Sequence, residues 1–500
     1  MNMDIHRTKV SDAIIRFIEK GYYFFLAVIM AMTIYNVFHN LELSPIESFD
    51  EARHGVNAYE MIKNNNYIVS TYGYKNDYWN LKPPVSYWTV IAGYKAAGFN
   101  EFGLRAASAC ASVLTILVLA LFMAYKYDRL SALISAIVLS TTTQYVTEHC
   151  ARTGDADSVF VLFFTISMIC LSLSVKSMNW LYVSGVAFSL AFLTKSFHAL
   201  NIILVICVYL IISRDVFKMK FVQMILFIIS SFSLTCIWFF YRYKQDGIKF
   251  FQTMINYDLL ARTSSTLEKH SGDSYFYIDK LNSSYFHWIV VLFAILAANA
   301  LLLEHGKEKE QLVNNSLVLF LWITVPLVLY SIAKTKIQWY IIPIYPALAA
   351  VIGAGVSSYF KCHYRNLLSQ LLLSLMIINA AYNNENYIMK YIAKTWNDPG
   401  QVVLKQLKSF PQYRGKNIYT TFFGYSAEDP YRFRQNHLLS AELYNDLIPL
   451  EGGFEGFLND KTDTPLILLK KDRNILSQKE KYKLKILLEY DDAVVLTKQK

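Results

Sequence analysis

Apolar segments recur along this 500-residue chain as far as residue 384, and many approach the ~20 residues that a helix needs to cross a bilayer. They predict a polytopic α-helical membrane protein with about 11–13 transmembrane helices. The short apolar run at 83–99 is predicted to be an interfacial helix instead. The candidate spans are 21–41, 103–125, 129–147, 154–175, 179–195, 198–213, 219–241, 285–304, 311–332, 338–360 and 364–384.

Lysine and arginine residues gather in alternate short loops, as Lys126 and Arg129 do. The positive-inside rule places those loops and the N-terminus in the cytoplasm. The loops 42–102 and 242–284, together with the tail, then lie on the outer face. The net charge of +10 is dispersed over the loops, which suits anionic lipid head groups and argues against a nucleic-acid partner.

The chain changes character after residue 384. Residues 385–500 contain short apolar runs between polar, turn-rich segments. That alternation predicts a small α/β domain. We therefore expect a transmembrane domain at 1–384 and a periplasmic C-terminal domain at 385–500. The six cysteines lie in or beside apolar runs, which argues against a disulfide scaffold or a zinc module.

The stretch from Ser48 to Arg105 is polar and aromatic, although apolar spans flank it. Polar groups between spans are costly unless they face water or a site, so we interpret this stretch as an active-site loop. Ser48 and Glu51 fit a capping box at a helix start. Asp50 would then lie in the first turn, where it could act as a general base. The alternative is that both acids merely begin the helix.

Three further charged residues interrupt apolar chain. Lys82 precedes two prolines, which would hold it at the membrane surface, either against a phosphate or as a snorkelling lysine. Asp157 opens a predicted span, as a site residue or as an ordinary helix-start acid. Lys195 breaks a long apolar run, where it could snorkel outward or bind a lipid phosphate.

Two later segments, the loop 242–284 and residues 333–346, combine charged groups with aromatic side chains. A lone histidine in a loop such as 242–284 would usually belong to the polar surface. The aromatic and proline-rich sequence at 333–346 is typical of an interfacial belt, and a phosphate clamp is the alternative. Their candidate site residues are Asp258, Arg262, His270, Lys336, Tyr340 and Tyr345.

Together these motifs resemble the GT-C superfamily of membrane glycosyltransferases, above all the aminoarabinose transferases of lipid A and protein O-mannosyltransferase-like enzymes. Two positions depart from the aminoarabinose transferase pattern: Leu81 stands where that group has an acidic residue regarded as a metal ligand, and Ser196 where it usually has glycine. The matching motifs are D-E-x-R at 50–53, K-P-P-x-x-Y-W at 82–88, E-x-x-x-R at 101–105, A-R-x-x-D-x-D at 151–157, L-T-K at 193–195 and K-x-x-x-Y-x-x-P-x-Y-P-A at 336–347.

The resemblance implies a polyprenyl-phosphate-sugar donor, an acceptor met on the outer face, and a catalytic role for Asp50. We therefore predict an inverting glycosyltransferase of the bacterial inner membrane that acts on a lipid, glycan or protein acceptor. The competing class is a secondary transporter or lipid flippase, although transporters usually show paired halves and broken helices near the midplane.

The expected roles of the site residues fall into three groups. Catalysis is assigned to Asp50 and Asp157, and binding of the donor phosphate to Lys82, Arg262, Lys336 and Tyr340. Acceptor binding or support is assigned to Glu51, Arg53, Tyr87, Lys195, His270 and Tyr345. Whether a divalent metal takes part is left open, with Asp258 and His270 as candidate ligands.

Overall fold

The computed structural model describes residues 9–267, 270–302, 307–362, 367–421, 434–470, 472–477 and 480–499. Helices dominate as far as residue 393. In chain order they begin with α1 (Lys9–Lys20), α2 (Tyr22–Phe38), α3 (Asp50–Lys63), α4 (Pro84–Ala97), α5 (Glu101–Lys126), α6 (Arg129–Ser140), α7 (Thr143–Thr147), α8 (Asp157–Leu173), α9 (Asn179–Lys195) and α10 (Leu200–Ile212). A small antiparallel hairpin, β1 (Thr71–Tyr72) with β2 (Lys75–Asn76), lies between α3 and α4.

The second half of the helical region has the same character. Its helices are α11 (Phe221–Asp246), α12 (Lys249–Met254), α13 (Arg262–Ser264), α14 (Phe276–Ser284), α15 (Phe286–Leu302), α16 (Lys307–Ile332), α17 (Tyr345–Cys362) and α18 (Leu367–Ala393). Every predicted span overlaps a helix, and the predicted interfacial helix is α4. The span predicted at 129–147 is divided into two helices: α6 ends at Ser140 and α7 begins at Thr143.

Four helical stretches are long and apolar enough to cross a membrane on length and composition: Glu101–Lys126, Asn179–Ile212, Phe221–Asp246 and Gln338–Lys361. The pair α14 and α15, bent by 98°, would make a fifth if it counts as one span. Shorter apolar helices accompany them at Tyr22–Phe38, Arg129–Ser140, Asp157–Leu173 and Ser316–Ile332. The architecture confirms the prediction of a polytopic α-helical membrane protein.

The chain divides into two compact units, each assembled from separate stretches of sequence. Unit 1 comprises Met1–His39, Leu81–Val85 and Ser108–Ala393, and unit 2 comprises Asn40–Asn80, Ser86–Ala107 and Lys394–Lys500. The tail elements therefore pack in one unit with most of the loop 42–102. The sequence alone did not indicate this grouping.

The core of unit 1 is built from large aromatic side chains and close helix contacts. Trp322 is fully buried, stacks on Phe164, and donates through Nε1 to the carbonyl of Pro343 at 2.8 Å. Helices α6 and α17 approach closely at Gly353, where a Cβ would come within 2.2 Å of the Ser135 Oγ. Small residues at helix crossings are the usual means of close packing between membrane helices.

Unit 2 contains a mixed five-stranded sheet with the strand order β4-β3-β5-β7-β6. Strand β3 runs parallel to β4 and to β5, and the remaining pairs are antiparallel. The sheet confirms the predicted α/β character of the C-terminal region. In chain order the elements are α19 (Pro399–Gln406), β3 (Asn417–Thr420), α20 (Gln435–Asn445), β4 (Ile448–Pro449), α21 (Gly453–Asn459), β5 (Leu466–Leu469), α22 (Arg473–Ser477), β6 (Leu484–Tyr490) and β7 (Ala493–Lys498).

The capping box predicted at Ser48 is wrong. Helix α3 begins at Asp50, and its N-cap is Phe49, whose side chain makes no capping hydrogen bond. The Ser48 hydroxyl instead donates to Gln435 Oε1 at 3.0 Å. A tertiary hydrogen bond has replaced the local one that the sequence pattern predicted.

Candidate active site

The break between α9 and α10 in unit 1 introduces polar groups into a long apolar run. Helix α9 ends at Lys195, and Ser196 then adopts φ 44° and ψ −128°, a backbone conformation that favours glycine. A 3-10 turn, Ser196–Ala199, leads into α10 and carries His198. The interruption predicted from the sequence is therefore a turn. It places the side chains of Lys195 and His198 within a stretch that is long and apolar enough to cross a membrane.

Lys195 forms a buried ion pair with Asp157, the first residue of α8. The Lys195 ammonium donates to Asp157 Oδ1, and both side chains are almost wholly inaccessible to solvent. The ammonium also lies 5.6 Å from the centre of the Tyr340 ring, within the range of a cation–π interaction. The pair makes Asp157 the counter-ion of Lys195.

Arg262 reaches the same ring from the segment that follows α12. Its guanidinium donates to the Tyr340 hydroxyl at 3.0 Å and to Asp258 Oδ1 at 3.2 Å. The ring of Tyr340 in turn packs edge-on against His198, with the ring centres 4.4 Å apart. These contacts join the segment around Arg262 to the break after α9.

His198 lies at the centre of this group of residues. Its Nδ1 is 3.3 Å from the Tyr330 hydroxyl, and the charges of Lys195, Arg262 and Lys82 all act on its ring. We call the group the cation cluster. It consists of Lys82, Lys195, His198, Arg262, Tyr330 and Tyr340.

The cation cluster has the composition of an anion site. It brings three permanent cations together, and two of them, Lys195 and Arg262, are each paired with a carboxylate, Asp157 and Asp258. Arginine and lysine together suit phosphate, because the guanidinium supplies a planar fork of donors and the ammonium a compact charge. Tyrosine hydroxyls can donate to the remaining phosphate oxygens. The sequence-based site omitted His198 and Tyr330, although His198 follows Lys195 by only three residues.

Lys336 and Tyr345 have other partners in unit 1. The Lys336 ammonium donates to the carbonyls of Ser331 and Ala333 at 2.7 and 2.8 Å, where it satisfies carbonyls at and just beyond the end of α16. The Tyr345 hydroxyl donates to Gln144 Oε1 in the helix core. His270 contacts this segment through its backbone carbonyl, which accepts from Lys336 N at 3.1 Å.

In unit 2, the start of α3 is held by a buried arginine. Arg105 makes a two-pronged ion pair with Glu51, at 2.7 and 2.9 Å, and its remaining donors bond the carbonyls of Leu41, Ser44 and Pro45. Asp50, next to Glu51, is half-buried at the first helical position. Arg105 therefore fixes the backbone around Asp50, because it bonds residues that precede Asp50 in the chain and Glu51, which follows it.

Arg53 forms a second closed pair in unit 2. It donates to both oxygens of Asp77, at 2.9 and 2.7 Å, and its guanidinium lies about 4 Å from the ring centres of Tyr72 and Trp79. Burial raises the pKa of Asp77, but the charge and hydrogen bonds of Arg53 outweigh it and bring that pKa to about 2. The pair is thus ionised at neutral pH and braces the hairpin β1–β2 against α3.

The other residues predicted to support the site have structural partners as well. The hydroxyl of Tyr87 is buried and donates to the carbonyl of Asn80 at 2.9 Å. Of the two candidate metal ligands, Asp258 is paired with Arg262. Neither it nor His270 belongs to a group of three metal-ligating side chains in the part of the chain that the structure describes. These residues do not fit a metal site.

Sequence comparison relates the chain to lipid-dependent glycosyltransferases. Residues 81–238 match the dolichyl-phosphate-mannose-protein mannosyltransferase family. An uncharacterised protein of Aquifex aeolicus is 27% identical over 72% of this chain and 79% of its own length. The undecaprenyl phosphate-alpha-4-amino-4-deoxy-L-arabinose arabinosyl transferase of Erwinia tasmaniensis is 26% identical over 63% of this chain, a match that spans only 56% of the Erwinia enzyme.

The fold has close counterparts among solved structures. The crystal structure of ArnT from Cupriavidus metallidurans bound to undecaprenyl phosphate superposes with a TM-score of 0.70, covering 95% of this chain and 97% of ArnT at 14% identity. The oligosaccharyltransferase AglB from Archaeoglobus fulgidus, in complex with an inhibitory peptide and a dolichol-phosphate, gives 0.51 at 9% identity, covering 90% of this chain and 70% of AglB.

These findings define the class of protein. The chain has the fold of a GT-C membrane glycosyltransferase and resembles the aminoarabinose transferases, as the sequence motifs predicted. The prediction of a glycosyltransferase is confirmed. The named relatives are transferases and give no support to the transporter alternative.

Proposed function

We propose that this protein transfers a sugar from a polyprenyl-phosphate carrier to a hydroxyl or phosphate of a lipid or glycan acceptor, with inversion, at the outer face of the bacterial inner membrane. The observation that carries the proposal is the cation cluster. It gathers three permanent cations around a helix break within a stretch that is apolar and long enough to cross a membrane. Two similar proteins support the same donor class. The Erwinia enzyme carries undecaprenyl phosphate in its name, and the Cupriavidus structure contains bound undecaprenyl phosphate.

Lys82, Lys195 and Arg262 would bind the carrier phosphate. During transfer the acceptor oxygen attacks the anomeric carbon, and the bond from that carbon to the phosphate oxygen breaks. The lipid phosphate leaves with the bonding electrons, and fixed cations stabilise the negative charge that develops on it. A single displacement of this kind inverts the configuration of the anomeric carbon.

Lys195 can bind the donor phosphate only if its ammonium group contacts both that phosphate and the Asp157 carboxylate. In the absence of phosphate, the Asp157 carboxylate balances the buried ammonium, which would otherwise be costly. We therefore give Asp157 the role of a positioning counter-ion in place of the catalytic role predicted from the sequence. Lys336 is assigned to the end of α16, since carbonyl oxygens already bind its ammonium.

Asp50 would accept the proton of the acceptor group as the bond to the sugar forms. Two features support this assignment: the D-E-x-R motif that it shares with the GT-C enzymes, and the rigid attachment of the α3 start by Arg105. A positioned general base typically contributes about 10²–10⁴ in rate.

The test is a transfer assay in membranes with a radiolabelled polyprenyl-phosphate sugar. We expect Asp50→Asn to insert, fold and bind the donor, but to lose at least about 10² in transfer rate, because an amide cannot accept the proton. Glu42→Gln, at an exposed acid in the same segment, is the matched control and should transfer normally. Transfer by Asp50→Asn at the wild-type rate would remove Asp50 as the base, and carrier movement without any transfer by the wild type would favour a flippase.

A further inference from the structure

Two buried glutamates face each other inside unit 2, where α3 packs against α20. Glu60 and Glu442 are 0% and 1% exposed, and their carboxyl groups lie within hydrogen-bonding reach of each other. Glu60 also accepts hydrogen bonds from the Thr71 side chain and from the backbone N–H groups of Gly73 and Tyr74, with Tyr74 N 3.0 Å from Oε2. Among the described residues, no donor other than a carboxyl reaches Glu60 Oε1 or either oxygen of Glu442.

The surrounding charges do not neutralise the two glutamates. Lys63 is the cation that acts on Glu442, but its ammonium is bound to Asp446 at 2.8 Å, and the hydroxyl of Tyr59 also donates to Asp446. The groups that face the pair are therefore one further carboxylate, one lysine already in use, and phenols that stay neutral. They are Asp446, Lys63, Tyr59, Tyr74 and Tyr94.

Two ionised carboxylates cannot form a hydrogen bond with each other, and burial makes their repulsion stronger. If one carboxyl is protonated, its O–H donates to the other carboxylate and the contact becomes attractive. We propose that Glu60 and Glu442 form a binding site for one shared proton, which holds α3 on α20. Since α3 begins at Asp50, loss of this proton would loosen the helix that carries the proposed base.

The pH dependence has a definite sign. Burial raises the pKa of Glu60, and burial together with the charge of Glu60 raises the pKa of Glu442 well above its usual range. The folded protein therefore retains a proton that the unfolded chain releases. Stability from the pair is complete below the ordinary pKa of glutamate and is lost as the pH rises through the raised value.

The first test is thermal unfolding of the full-length protein in detergent from pH 5 to pH 9. We expect the unfolding temperature of the wild type to fall towards alkaline pH, and that of Glu442→Gln to fall less, because an amide donates to Glu60 at every pH. Glu455→Gln, at an exposed glutamate of α21 in the same unit, is the control and should keep the wild-type slope. Equal slopes for wild type and Glu442→Gln would overturn the proposal.

A second measurement does not depend on how the variants fold. The infrared spectrum of the wild type at neutral pH should contain the C=O stretch of a buried protonated carboxyl, and that band should disappear at high pH. Its absence at neutral pH would overturn the proposal. So would a rise in the unfolding temperature of the wild type with calcium or magnesium that Glu442→Gln lacks, since the pair would then bind a metal ion. Neither result bears on sugar transfer.

Discussion

Buried charges are arranged differently in the two units. Among the described residues of unit 2, each buried arginine is matched to one carboxylate in a two-pronged pair, Arg53 with Asp77 and Arg105 with Glu51. In unit 1, the cation cluster gathers three permanent cations, Lys82, Lys195 and Arg262, around the break after α9. Matched pairs brace a backbone, whereas several cations gathered around one helix break in a membrane-spanning unit indicate an anionic ligand.

The largest effect should come from opening one of the matched pairs. We expect Arg105→Met to lower the free energy of unfolding by about 3–5 kcal/mol, because it leaves Glu51 buried and unpaired and removes three bonds to backbone carbonyls. Unfolding by denaturant in detergent would measure the change.

The control for that measurement is Lys485→Met, at an exposed lysine of β6, which should stay within about 0.5 kcal/mol of wild type. An equally small effect at Arg105 would mean that the Arg105–Glu51 pair does not brace the start of α3. The structural role that we assign to the matched pairs of unit 2 would then be wrong.

A second prediction uses a feature that the two units share. Phe49, just before Asp50, and Ser196, just after Lys195, both have positive φ angles with ψ near −120°, where non-glycine residues are strained. We expect Ser196→Gly to raise the free energy of unfolding by about 1 kcal/mol. Ser196→Ala keeps the Cβ and should give no gain. A loss of stability in Ser196→Gly would mean that the serine side chain is worth more than the strain.

The sequence predicted the helical membrane fold well because long apolar runs have few other solutions. The helix break after Lys195 was predicted for the same reason, since a charge in such a run is rarely tolerated without a structural change. The glycine expected at position 196 in related enzymes now has a physical explanation in the φ angle of 44°.

The partners of individual side chains were harder to predict. Ser48 matched a local capping pattern, yet its hydroxyl bonds Gln435, which is distant in sequence. Lys336 was expected at the donor phosphate because it is a cation in an aromatic girdle, but carbonyls of its own segment bind its ammonium. Local patterns give the type of residue at a position, whereas tertiary contacts decide what that residue binds.

The most direct test of the anion site is the affinity of the purified protein for polyprenyl phosphate, measured for wild type, Lys82→Gln and Arg262→Gln. We predict that each substitution weakens binding by about 10–100-fold, as expected for the loss of one charged hydrogen bond, while the protein stays folded. Lys334→Gln, at an exposed lysine in the loop after α16, should bind as wild type does. Wild-type affinity in both cluster variants would contradict the assignment of the cation cluster to the donor phosphate.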